Sequence, residues 1–188
     1  FSNILMPNVH HLRHTHLPEN LFVKGEPETG ADLADDLERI AANIGPENIA
    51  ACIVEPIAGS TGALVPPKGY LQKLRDTCDK HGILLIFDEV ITGWGRTGFP
   101  FAAQAFDVTP DIMTMAKAVT NGVVPLGAVA SRENIYDTIL DASPMGAVEF
   151  FHGYTYSAIP VSMAAGLAMQ NIIEKENLIQ RSKDMSPY

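Results

Sequence analysis

Ile83-Leu84-Leu85-Ile86-Phe87-Asp88-Glu89 is the stretch from which the rest of the fold can be worked out. Five apolar residues without polar alternation describe a strand covered on both faces, and a pair of acids closes it. Residues 49–54 repeat the pattern and end at Glu55-Pro56. Between these runs lie helical stripes. Residues 31–44 carry Leu33, Leu37, Ile40, Ala41 and Ile44 and stop at Gly45-Pro46; residues 69–81 carry Leu71, Leu74 and Cys78 and stop at Gly82. Further short strands are predicted at 111–115 and 126–130, and further helices at 132–140 and 160–176. Buried strands separated by helices imply an α/β fold with a mostly parallel sheet flanked by helices.

Composition narrows the function classes. The 188 residues hold 13 Lys+Arg against 22 Asp+Glu, a net charge of −9, with 46% apolar and 19% charged residues. That is ordinary globular composition, and its acidity argues against nucleic acid or an anionic membrane as partner. Apolar runs fall far short of the ~20 residues of a membrane span. Cys52 and Cys78 lack metal or scaffold spacing, which fits a reducing, cytoplasmic setting. Residues 1–30 contain His10, His11, His14, His16 and three prolines without period, and read as an irregular connecting segment. No acid lies near the histidines and Pro7 and Pro18 bracket them, so no metal site is assigned. Residues 58–68 read as a loop. The chain opens on Phe1 without a signal-peptide pattern, and 182–188 trail off a helical pattern; the expectation is a piece of a longer soluble protein.

Gly93-Trp94-Gly95-Arg96-Thr97-Gly98 has dinucleotide-loop spacing, but its context is wrong. Two carboxylates stand between strand and glycines, and Phe99-Pro100 follows where a phosphate-facing helix is needed. Arg96 is expected to order the loop by an ion pair. Asp88 is the stronger signal, since ligands of open α/β sheets bind beyond the carboxyl ends of strands; a surface aspartate capping the loop is the plainer alternative. Lys117 has no acid within five positions on either side. It is either a snorkelling surface lysine or a desolvated one with a nucleophilic amine. An acid at one strand end and a lysine after the next strand suit a cofactor with one protonated nitrogen and one aldehyde, and pyridoxal phosphate has both.

These residues resemble a known family. Residues 87–98 (Phe-Asp-Glu-Val-Ile-Thr-Gly-Trp-Gly-Arg-Thr-Gly), Pro110-Asp111, Lys117 and Pro125-Leu126-Gly127-Ala128 look like the signature of class III pyridoxal-phosphate aminotransferases, a match running from about Asn48 to Gly166. Glu55-Pro56-Ile57-Ala58-Gly59-Ser60, Val65-Pro66-Pro67-Lys68-Gly69-Tyr70 and His152-Gly153-Tyr154-Thr155-Tyr156-Ser157 look most like its ω-amino acid (β-alanine):pyruvate branch.

The resemblance implies part of the large domain of a fold-type I enzyme over 31–176, with 1–30 leading in and 177–188 opening a further segment. It implies that Lys117 carries pyridoxal phosphate as a Schiff base and shuttles the substrate proton. Asp88 pairs with the pyridine nitrogen, Val90 packs on the ring, and Thr155 donates to the cofactor phosphate of a neighbouring subunit in a homodimer with shared sites. A helix starting near Pro160 supports that last role, because helix N-termini attract phosphate. No metal is implied. The implied activity is transfer of an amino group from an ω-amino acid or amine to pyruvate, with this chain alone inactive. Ser60 stands where related branches carry a glutamate that masks an arginine, which favours pyruvate over 2-oxoglutarate. Other class III chemistries, a decarboxylating aminotransferase or an aminomutase, and a catalytically inert fragment or pseudo-enzyme, are the alternatives.

Overall fold

The computed structural model describes residues 6–145 and 150–186. Residues 1–5 of the expected connecting segment and 187–188 of the expected C-terminal segment lie outside the described residues. In chain order the elements are α1 (Asp35–Ile44), β1 (Ala51–Val54), α2 (Tyr70–His81), β2 (Leu84–Asp88), α3 (Ala102–Ala105), β3 (Ile112–Met115), β4 (Ala128–Ser131), α4 (Glu133–Ala142), α5 (Pro160–Lys175) and α6 (Leu178–Met185). The sheet order is β1-β2-β3-β4. Parallel pairing of β2 with β3 sets Ile86 against Ile112, Phe87 against Met113 and Asp88 against Thr114. β4 runs antiparallel to β3, with Met115 opposite Ala128, so the sheet is mixed.

The expected helices and strands form at nearly their expected places. The stripe at 31–44 begins as a 3-10 turn, Ala31–Ala34, before becoming α1. Gly82 ends α2 in the left-handed conformation, φ 68°, which glycine adopts without steric cost. β2 differs from its sequence reading in one respect. Leu85 and Phe87 are fully buried while Leu84, Ile86 and Asp88 are half-buried, so one face is the better covered. The outer strands, β1 and β4, expose Ile53 (61%) and Val129 (69%). No helix among the described residues is long and apolar enough to cross a membrane.

The chain divides into two units. The first comprises residues 1–52 and 57–85. Leu33, Leu37 and Ala41 are buried there with Leu71, Leu74 and Cys78, the two stripes read from the sequence. Ion pairs join α1 to α2, Asp35 to Lys73 at 2.9 Å and Glu38 to Lys80 at 2.7 Å, and His81 Nε2 lies at hydrogen-bond distance, 2.9 Å, from Glu38. Buried Asp36 takes both nitrogens of the Arg13 fork, at 2.8 and 3.0 Å, with Arg39 at 3.1 Å. Those hydrogen bonds, Arg13's foremost, hold its carboxyl below the usual carboxylate range. Burial pushes the Tyr70 phenol up to about 12, and the Cys78 side chain, by hydrogen bonding, holds the Cys52 thiol below its ordinary value.

The second unit comprises residues 53–56 and 86–188. Phe87, Ala102, Val108, Met115, Ala118 and Val119 are buried in it. Two helices escape a periodicity reading. α3 has only four residues and is capped by the Gln104 side chain, which accepts the Phe101 N–H at 3.2 Å. α6 follows Asn177, itself left-handed at φ 50°. It packs on the glycine loop: Lys183 Nζ lies 4.0 Å from the Phe99 ring centroid, and Ser182 donates to the Arg96 carbonyl at 3.4 Å.

Candidate active site

Asp88 is the last residue of β2, opposite Thr114. Glu89 N–H donates to the Thr114 carbonyl at 2.9 Å, so pairing runs one residue beyond Asp88 before the chain turns. Val90 N–H then donates to Asp88 Oδ1 at 3.0 Å. This aspartate turn directs the carboxylate and, among the described residues, leaves Oδ2 without a hydrogen bond. Lys117 lies three positions beyond Thr114 on the parallel neighbour. Register alone therefore brings both residues out at one end of the sheet, the end where α/β folds place ligands.

Lys117 opens a 3-10 turn, Lys117–Val119, in the left-handed region at φ 46°. A residue with a Cβ holds that conformation at a cost of about 1–3 kcal/mol, so its surroundings must impose it. Ala118, Val119 and Thr120 are buried directly after it, Thr120 Oγ1 donates to the Val124 carbonyl at 2.6 Å, and Ser162 donates to the Pro125 carbonyl at 3.1 Å. The sequence left open whether Lys117 is desolvated; the structure leaves its side chain exposed and without an ion pair among the described residues. What distinguishes this lysine among the described residues is its backbone geometry, not burial.

Between Asp88 and α3 the glycine loop uses its own N–H groups. Gly93 donates to Glu89 at 2.9 Å, Trp94 and Gly95 to Pro100 at 2.7 and 3.2 Å, and Gly98 to Gly95 at 3.1 Å. These amides are not arrayed around a phosphate, which removes the dinucleotide reading. The Trp94 and Phe101 rings meet edge to face at 5.4 Å. Arg96 is exposed and makes no ion pair among the described residues, so the expected loop-ordering pair is absent there; its carbonyl receives Ser182 instead.

Glu89 orders this loop, a role the sequence reading missed. It is fully buried, and its carboxylate accepts the Ala102 and Ala103 N–H groups at 2.9 and 2.7 Å and the Thr92 hydroxyl. The available signal was strand alternation, which turns Glu89 to the face opposite Asp88.

Thr155 lies on an exposed turn leading to α5, whose first residue is Pro160. Tyr154, left-handed at φ 50°, donates its N–H to His152 Nδ1 at 3.0 Å, and Ser157 N–H reaches the Tyr154 carbonyl at 2.9 Å. A Cβ on Gly153 would lie 3.5 Å from Thr155 Oγ1. Thr155 makes no hydrogen bond with Asp88, Val90 or Lys117. The structure thus brings the first three predicted residues to one strand end and sets the fourth on a separate surface turn.

Known proteins resolve which family carries this arrangement. The family described as Aminotransferase class-III matches residues 1–188. The chain belongs to the class III aminotransferases. An omega-aminotransferase of Caulobacter vibrioides is 58% identical over 98% of this chain and 42% of its own length. A beta-alanine–pyruvate aminotransferase of Pseudomonas aeruginosa is 54% identical over 96% of this chain and 41% of its own. Among solved structures, a PLP-bound amine transaminase from an uncultivated Pseudomonas species superposes with a TM-score of 0.75 at 43% identity, over 80% of this chain and 34% of that one. The chain therefore spans about two fifths of the curated relatives it matches.

Class III aminotransferases use pyridoxal phosphate, and the donor set here fits that group. Asp88 keeps one carboxylate oxygen, unbonded among the described residues, for a protonated ring nitrogen. Lys117, at the same strand end, has an amine unpaired among the described residues and suited to an aldehyde. Ser60 is exposed in the 58–68 loop, where Ala58 and Leu64 bridge.

Proposed function

We propose that this chain forms the cofactor-anchoring part of an ω-amino acid:pyruvate aminotransferase, a pyridoxal-phosphate enzyme that moves an amino group from a β-alanine-like donor to pyruvate. The observation that carries the reading is the parallel register of β2 and β3, which sends Asp88 and Lys117 out at one sheet end. The identity to omega-aminotransferase and beta-alanine–pyruvate aminotransferase over nearly all of this chain supports the substrate class.

Bound pyridoxal phosphate supplies an aldehyde and an electron-withdrawing ring. The chain's residues hold and serve it. Asp88 Oδ2 pairs with the ring N–H, because a carboxylate facing that nitrogen favours its charged form. Val90 packs its isopropyl group on the ring, a position it reaches because its N–H is tied to Asp88. Lys117 Nζ would hold the group at its aldehyde and would serve as the base for the proton on the substrate carbon that bears the amino group. Thr155 donates its hydroxyl to the phosphate in a second subunit of a homodimer. Its separation from the other three residues supports that arrangement, as do Phe151 and Tyr156, which expose 90% and 87% of their surface beside it. Buried free thiols at Cys52 and Cys78 favour a reducing, cytoplasmic setting.

The test uses the full-length protein containing this chain, loaded with pyridoxal phosphate and given β-alanine and pyruvate. Alanine formation dependent on both substrates is expected. Tight cofactor binding without amino transfer from any ω-amine to any keto acid would overturn the reading.

A further inference from the structure

We propose that Glu89 is a positioning residue for the cofactor site: its buried carboxylate, by tying down the start of α3, fixes the direction in which Asp88 presents its free oxygen. The inference rests on the reading above. Glu89 is fully buried, yet among the described residues no lysine or arginine pairs with it. All its partners are donors. Oε2 accepts Thr92 Oγ1 and Ala102 N, and Oε1 accepts Ala103 N. A carboxylate satisfied mostly by backbone N–H groups is a clamp on the chain rather than half of an ion pair.

The clamp acts on Asp88 through its own backbone. On one side of the residue, Glu89 N–H holds Thr114 at 2.9 Å; on the other, the Glu89 carbonyl accepts Gly93 N–H at 2.9 Å. The Val90 N–H that orients Asp88 at 3.0 Å shares its peptide plane with that Glu89 carbonyl. Any rotation at position 89 swings that donor away and lets the Asp88 carboxylate turn. Because Glu89 projects to the opposite face, it does not touch the cofactor and acts only through its neighbour.

Glu89→Gln is the informative change, since it keeps shape but replaces one acceptor by an NH2 donor. Whichever way the amide turns, at least one of the Thr92, Ala102 and Ala103 donors then meets another donor. In the full-length apo-protein, faster hydrogen exchange at the Ala102 and Ala103 amides is expected, a readout independent of cofactor. In the loaded enzyme kcat should fall by about 30–100-fold with KM within about threefold. The pH midpoint of the cofactor's visible absorbance should also move, since it reports how Asp88 meets the ring nitrogen. The decisive measurement is a cycle with Asp88→Asn. If Glu89 works through Asp88, adding Glu89→Gln to Asp88→Asn costs less than about twofold. Multiplicative losses, or a fall in kcat with an unmoved absorbance midpoint, overturn the proposal. If melting shows that Glu89→Gln does not fold, Thr92→Val removes one of the three donors and should shift the same readouts in the same direction by about three- to tenfold in kcat; no shift overturns it. A wild-type protein that binds cofactor without amino transfer defeats the functional reading instead, and the amide exchange still decides whether Glu89 clamps α3.

Discussion

Replacing Gly93 with alanine puts a methyl group 2.8 Å from the Glu89 carbonyl oxygen and 3.2 and 3.3 Å from two carbons of the Phe101 ring. A comfortable contact begins near ~3.5 Å, so something must move by about 0.7 Å. Neither neighbour yields easily. The carbonyl is bonded to the Gly93 N–H itself at 2.9 Å, the Glu89 side chain is held by Ala102 and Ala103, and the Phe101 ring is packed edge-on against Trp94. Overpacking of this kind costs about 1–3 kcal/mol. Gly127→Ala is the control from the same unit, because its nearest neighbour is the Met115 carbonyl at an unstrained 3.6 Å, and its cost should stay within about 0.5 kcal/mol. Urea denaturation of the full-length apo-protein reads both, and pyridoxal phosphate titration reads the site. Gly93→Ala should lower the midpoint and weaken cofactor binding, since the displaced turn carries Val90; Gly127→Ala should change neither. Equal midpoints and affinities for Gly93→Ala and wild type would refute the close approach of Gly93 to Glu89 and the argument built on it.

Three further outcomes are expected. Asp36→Asn should destabilise the protein by about 1–3 kcal/mol in urea, toward the low end because the Arg13 and Arg39 side chains are 60% and 62% exposed. The folded-state pKa of Asp36 is lowered, so its contribution is complete above the ~3.9 of an unfolded aspartate and is lost as pH falls through the lower folded value; wild type should therefore lose stability more steeply than Asp36→Asn below about pH 4, and parallel acid titrations would count against the pair. Borohydride reduction with pyridoxal phosphate present should label Lys117 alone among the lysines of this chain, and peptide mapping that finds the label on Lys68 or Lys73 would remove Lys117 from the site. In a keto-acid panel at fixed β-alanine, pyruvate should give a higher kcat/KM than 2-oxoglutarate, because the uncharged, short Ser60 cannot mask an arginine as a glutamate does; preference for 2-oxoglutarate would mean another residue supplies that switch.

Much of the frame was legible because its signals are local. The Leu33–Leu37–Ala41 and Leu71–Leu74–Cys78 stripes predict helices whose buried faces the structure contains, and Gly82 predicts a stop that its left-handed φ explains. Asp88 was legible for the same reason: an acid ending an apolar strand has few places to go. Lys117 was singled out by its acid-free surroundings, but its exposure and left-handed backbone follow from how buried residues 118–120 pack, which no periodicity encodes. Glu89 was missed because its partners sit at positions 92, 102 and 103, separations that only the folded loop creates. The antiparallel course of β4 was hidden as well, since direction depends on the path of the connection and not on strand composition.

The exposed outer strands have a practical consequence for handling the protein. β1 and β4 close the sheet order on either side, and each turns a large branched residue, Ile53 or Val129, to solvent. A strand with unused backbone donors and acceptors beside apolar side chains is a template for another chain. Expressed by itself, this 188-residue chain therefore offers two docking rails to its own copies, and sedimentation should find it in mixed, concentration-dependent assemblies. A lysine introduced at Val129 would blunt one rail. It would give a better-behaved sample for spectroscopy while leaving Asp88, Glu89 and Lys117 as they are.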